Sequence, residues 1–175
     1  MAIRKILTEP NKILREKSKI VELVDSDIQQ LMDDMLETMY YAPGIGLAAI
    51  QIGVPKRIIV MDISKPDDKN NPLFLINPEI TWTESENATY EEGCLSVPDQ
   101  FAEIDRPKKC NVKFLDYFGT EKLLKAEGLL ATCIQHEMDH LEGILFIDYL
   151  SKLKKTMIIK KLSKRKSENI DRIIV

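Results

Sequence analysis

The sequence predicts an α+β fold, with antiparallel β-sheets packed around one central helix and a further helix closing the chain. Two observations carry this prediction. Between residues 57 and 126, short β-branched and aromatic runs follow one another with turn-forming residues between them, the pattern of sequential antiparallel strands. Residues 128–143 then carry apolar side chains on two sides at helical spacing, so this helix is buried nearly all round. His136 and His140 are four apart on it, with Glu137 beside the first. Both imidazoles therefore leave one face a turn apart and can close on a single cation, which makes the central helix a metal-binding one. They are the only two histidines in the chain.

A chain of 175 residues, 44% hydrophobic and 30% charged, fits one globular domain over 1–175 that can bury a real core. Its opening has no apolar h-region followed by a small-residue cleavage site, and no stretch is long and apolar enough to span a bilayer, so a cytoplasmic protein is expected with no membrane partner. Nothing demands a dimer, and a monomer is expected. Cys94, Cys110 and Cys133 are odd in number and lack paired spacing, which argues against a disulfide framework or a four-cysteine zinc module. The net charge of −3 hides an asymmetry: eight cations and no acid lie between Lys152 and Lys166, leaving −11 for the rest.

Taken in order, Ile28, Leu31, Met32, Met35, Leu36 and Met39 repeat at helical spacing, and Ser26 with Gln29 reads as a capping box, giving a helix over 26–41. Pro43 stops it. The small and apolar run Gly44-Ile45-Gly46-Leu47-Ala48-Ala49-Ile50-Gln51-Ile52-Gly53 reads equally well as a tight buried turn or a ligand-facing loop, and its two leading glycines let another backbone come close. Strands are expected at 57–63, 73–76, 80–83, 101–104 and 110–117, the last turning through Phe118-Gly119-Thr120 into 121–126. Gly143 suits a left-handed cap on the central helix. A final basic helix over about 151–166 has Leu153, Met157, Ile158 and Leu162 on one face, and a solvated helix docked by that stripe is its simplest reading.

A catalytic site of this kind wants three protein ligands and one open position. A metzincin-like third histidine would fall at Phe146, and a downstream glutamate is offered only by Glu142 and Glu168. Cys94 is the better candidate, because Gly93 frees the backbone to turn the thiol inward and a metal would hold it as thiolate. Cys110 and Cys133 fall on apolar faces and read as core. A glutamate-liganded peptidase and a closed structural metal staple remain open on the residues alone.

Three segments then stand together: Gly44-Ile45-Gly46-Leu47-Ala48-Ala49-Ile50-Gln51, Glu92-Gly93-Cys94-Leu95-Ser96 and Gln135-His136-Glu137-Met138-Asp139-His140-Leu141-Glu142-Gly143. In this order they resemble the three motifs of peptide deformylase, and the likeness runs from the N-terminal segment to the final helix. Ile50 stands where many members have proline, and Phe101 where some carry a basic residue.

The resemblance implies an enzyme that hydrolyses the formyl group from N-formylmethionyl nascent peptides and releases formate. It implies one divalent metal on Cys94, His136 and His140, natively Fe(II) in many members, with Zn(II), Ni(II) or Co(II) able to replace it, since a mixed thiolate and imidazole set suits all four. Glu137 would be the general base for a water molecule, and the Gln51 amide and Leu95 N–H would meet charge developing on the formyl oxygen. Ile45, Leu129 and Cys133 are candidates for the methionine pocket, Gly44, Ile45 and Gly46 for a strand edge that pairs with the peptide, and Glu92 backed by Arg106 for support of a ligating histidine. The basic C-terminal helix would meet the ribosome near its exit tunnel.

Overall fold

The computed structural model describes residues 2–65 and 67–171, the last seven by their backbone alone. Helix α1 (Ser26–Tyr41) buries Ile28, Met32, Met35 and Met39, as the spacing predicts. Its cap differs from expectation: Ser26 is already helical, and Asp25 caps the helix by accepting from Ile28 N–H at 3.0 Å. An ionised carboxylate facing the positive helix end is the stronger cap. Gln29, freed from that duty, donates to the Tyr117 carbonyl.

Seven strands follow, β1 (Gly46–Ala48), β2 (Ile58–Met61), β3 (Leu73–Thr83), β4 (Asn87–Cys94), β5 (Val97–Pro107), β6 (Lys109–Leu115) and β7 (Glu121–Glu127). They form a five-stranded antiparallel sheet in the order β1-β2-β3-β6-β7 and a separate β4-β5 hairpin. The two strands expected at 73–76 and 80–83 are one: β3 carries Asn77-Pro78 through as a bulge, with Asn77 at φ 49° and the register to β6 shifting there. Proline lacks an N–H for the ladder, and the bulge is where that lack is tolerated.

Strand β2 shows how the sheet is held. Ile59 and Met61 pack toward helix α2 (Gly128–Leu141) in one apolar cluster with Leu75, Val112, Ile134 and Leu141, while Ile58 and Val60 pack toward α1 with Met32, Met35 and Met39. Alternation with period two puts successive side chains on opposite faces, so all four are fully buried and the sheet lies between two helices. Helix α2 also touches β5, so it bridges the sheet and the hairpin. Residues 131–137 of α2 are buried without interruption, and Gly143 at φ 73° lies against the Arg15 carbonyl, where a Cβ would come within 2.4 Å of oxygen. The expected left-handed cap is present and no side chain fits it.

Helix α3 (Lys152–Asp171) docks beside the hairpin through Ile158, Ile159 and Leu162, which join Val97, Ile104 and Phe146 in a third cluster. The stripe is rotated from the one expected: Leu153 and Met157 are 71% and 62% exposed. No helix among the described residues is long and apolar enough to cross a membrane.

Candidate metal and active site

Three elements supply the site. A short helix turn over Ala49–Ile52 after β1 presents Gln51, the tip of the β4-β5 hairpin presents Cys94, and α2 presents His136, Glu137 and His140. The helix repeat does what the spacing requires: the rings of His136 and His140 stand 5.1 Å apart at 76°. Cys94 Sγ lies 3.3 Å from His140 Nε2, and the donor atoms of Cys94, His136 and His140 all fall within 4.8 Å of one another. One thiol and two imidazoles at this separation fit a divalent cation by softness and by reach. Glu142, the glutamate alternative on this helix, is turned to Arg57 and Lys17 instead, and the side chain of Glu168 lies outside the described residues.

The histidines are held from behind. His136 Nδ1 donates to Glu92 Oε2 at 2.8 Å, which leaves the Nε2 lone pair of a neutral ring free to ligate. Glu92 in turn takes Nε and Nη2 of Arg106, whose Nη1 reaches Asp139 Oδ2 at 2.8 Å. Tyr149 O–H donates to the same Asp139 oxygen and lays its ring 5.0 Å from the Arg106 guanidinium. Burial alone would raise the Glu92 carboxyl, but the bonds from His136 and Arg106 outweigh it and hold the group below its ordinary value. Phe146 stacks on the His136 ring at 6.3 Å. Tyr149 and Phe146 have no sequence signature that marks them, whereas Asp139 stands inside the histidine motif itself.

Glu137 faces the other way. Its Oε2 is buried without a partner, and burial pushes its carboxyl up to about 7, with the charges of Glu92 and Asp139 adding to this and those of His136 and Arg106 opposing it. Its Oε1 occupies the space over Gly46, where a Cβ would come within 2.4 Å. That glycine is required by a carboxylate, not by backbone strain. Gly93 is similar: the ring of Phe101 fills the place of its Cβ, and this, more than a turned backbone, explains the missing side chain.

Gln51 is almost fully buried and its amide has one orientation: Oε1 accepts from Ala48 N–H at 2.8 Å, so the NH2 group faces Cys94 Sγ at 3.6 Å and Ser96 Oγ at 3.1 Å. Ser96 is a partner that sequence reasoning did not single out. A cavity of about 460 Å³ opens in front of these groups, and Gly44, Ile45, Gly46, Leu95, Leu129 and Cys133 all line it. Ile45 and Leu129 are half exposed at the wall while Cys133 is buried, its thiol 3.8 Å from the Ile45 carbonyl. Chemically, a cation site beside an unpaired carboxylate of raised pKa, the amide donor of Gln51 and an apolar recess suits hydrolysis of a small amide.

A family model described as polypeptide deformylase matches residues 3–156. The peptide deformylase of Pelagibacter ubique is 69% identical over 170 residues, spanning 97% of this chain and 99% of that protein. Among solved structures, the peptide deformylase of Ehrlichia chaffeensis in complex with actinonin matches with a TM-score of 0.91 at 46% identity, covering 94% of this chain and 98% of that one. Peptide deformylase 1B of Arabidopsis thaliana matches with a TM-score of 0.86 at 32% identity, covering 94% and 93%.

Proposed function

Since the chain belongs to the polypeptide deformylase family and is an enzyme that removes the N-formyl group from nascent polypeptides, we propose that Cys94, His136 and His140 hold its metal and Glu137 moves the proton. The convergence of three soft-to-borderline donors within 4.8 Å beside a buried, unpaired carboxylate carries this reading. Fe(II) is the proposed native ion, with Zn(II), Ni(II) or Co(II) as replacements. Once bound, the cation supplies Lewis-acid chemistry, acidifying water and polarising the formyl oxygen.

The chain's own residues do the rest. Glu137 receives a proton from water and returns it to the leaving amine, a task suited to a carboxyl raised to about 7. The NH2 of Gln51 and the N–H of Leu95 meet the negative charge on the formyl oxygen. Ile45, Leu129 and Cys133 receive the methionine side chain, and Gly44 to Gly46 offer a strand edge to the peptide. Formyl selectivity follows from crowding: a carbon bearing only hydrogen fits beside Gly46 and Glu137, where an acyl carbon with its own substituents does not. One catalytic domain over 1–175, acting as a monomer in the cytoplasm, completes the reading. The basic residues of α3 suit contact with the ribosome near the exit tunnel.

An assay of formate from a formyl-Met tripeptide, beside N-acetyl and unblocked controls, tests it. Formate from the formylated peptide alone is expected, and cleavage of internal peptide bonds instead would overturn the reading.

Support from behind the metal has its own test. Glu92→Ala removes the acceptor that fixes His136 and is expected to weaken metal binding about 10–100-fold in chelator competition. Unchanged affinity would reduce the Glu92–His136 bond to packing.

A further inference from the structure

A second groove, of about 600 Å³, lies between β5 and α3, and Phe101 lines both it and the active-site cavity. The Phe101 ring rests on Gly93 at the mouth of the first and is 65% exposed. The floor of the second is apolar, from Leu150, Met157 and Ile158, and Lys154 and Lys161 of α3 flank it. Neither lysine ammonium has an ion-pair partner among the described residues, and Glu103 on the β5 side is the one acid in the lining.

We propose that this groove is a distal subsite that takes the part of the formylated peptide downstream of its third residue, favouring apolar and acidic side chains there. The occupant is fixed by continuity. A peptide held by its first residue in the first cavity leaves as an extended chain, advancing about 3.3 Å per residue with side chains alternating in direction. Passing over the Phe101 face, it reaches the groove with one set of side chains toward the apolar floor and the other toward the two lysines. Glu103 opposes an acidic chain less than the lysine pair attracts it, and the attraction is of the exposed, salt-screened kind. The inference rests on the first cavity being the site of deformylation.

Kinetics on formyl-Met tripeptides and octapeptides tests it, the octapeptides carrying Leu with Asp, Ser or Lys at positions four to seven. With wild type at low salt, the acidic octapeptide is expected to exceed the lysine one about threefold to tenfold in kcat/KM, through KM, and high salt should erase the difference. K154E/K161E should reverse the order and M157D should lower kcat/KM for the octapeptide carrying Leu with Ser relative to the tripeptide, with tripeptide turnover unchanged in both. Equal rates for all octapeptides, with normal tripeptide turnover, would overturn the distal subsite alone. Loss of ribosome co-sedimentation in K154E/K161E, with every peptide unaffected, would overturn it in favour of a ribosomal partner. No turnover of any formylated peptide by metal-loaded wild type would instead remove the deformylation site beneath it.

Discussion

Glu137→Ala is expected to lower formate release by about three orders of magnitude while the protein keeps its metal. The carboxylate lies at the cavity wall with one oxygen unpartnered, whereas Glu92, the lining acid beside His136, has both oxygens committed to His136 and Arg106. Proton transfer by a positioned group is commonly worth about 10²–10⁴-fold, and here the same group serves water and the leaving amine. Stability should move the other way. A carboxyl that burial pushes up to about 7 and that lacks a partner costs the fold free energy, so the variant should melt no lower than wild type. Metal content, formate release and a thermal melt on one preparation decide the matter. Loss of metal together with activity would make Glu137 a ligand rather than the base.

Cys94→Ala should lower metal affinity by more than about a hundredfold, beyond the effect typical of a supporting residue, and formate release with it. Three protein donors within 4.8 Å become two, both on one helix, and the hairpin no longer contributes. The fold should survive, because the hairpin stays tied to α2 by the bonds of Arg106 to Asp139 and of Glu92 to His136, and its Val97 and Ile104 keep their apolar packing with Phe146. Metal per chain after dialysis, formate release and circular dichroism give the three readings. A folded, metal-poor, inactive variant supports a catalytic site. Global unfolding would indicate a structural staple, and retained metal would return the third position to a glutamate.

The parts of the site that a local pattern determines were legible in the chain. The helix repeat alone puts His136 and His140 on one face, and the count of histidines and cysteines leaves Cys94 as the economical third donor. Strand β4 escaped notice because it has little apolar alternation: residues 87–92 are Asn, Ala, Thr, Tyr, Glu and Glu, and only the last is buried, as an ion pair. Pairing with β5, invisible in a window of eight residues, makes it a strand. The splitting of β3 at Asn77-Pro78 applied a sound rule about proline where a bulge suspends it. The rotated face of α3 depends on what that helix packs against, and so do Phe146 and Tyr149 behind His136, whereas the cap at Asp25 is a local choice between two adjacent cap-forming residues.

The fixed orientation of Gln51 has a consequence in the genetic code. Its oxygen is committed to Ala48 N–H, so the atom facing Cys94 and Ser96 has to be a donor. Glutamate, one base substitution away, has the same length and shape, keeps the bond to Ala48 and presents an anionic oxygen to the thiol where an NH2 group stood. A change that looks conservative in size and propensity therefore reverses the sign of the local field, and selection at this codon acts on two hydrogen atoms.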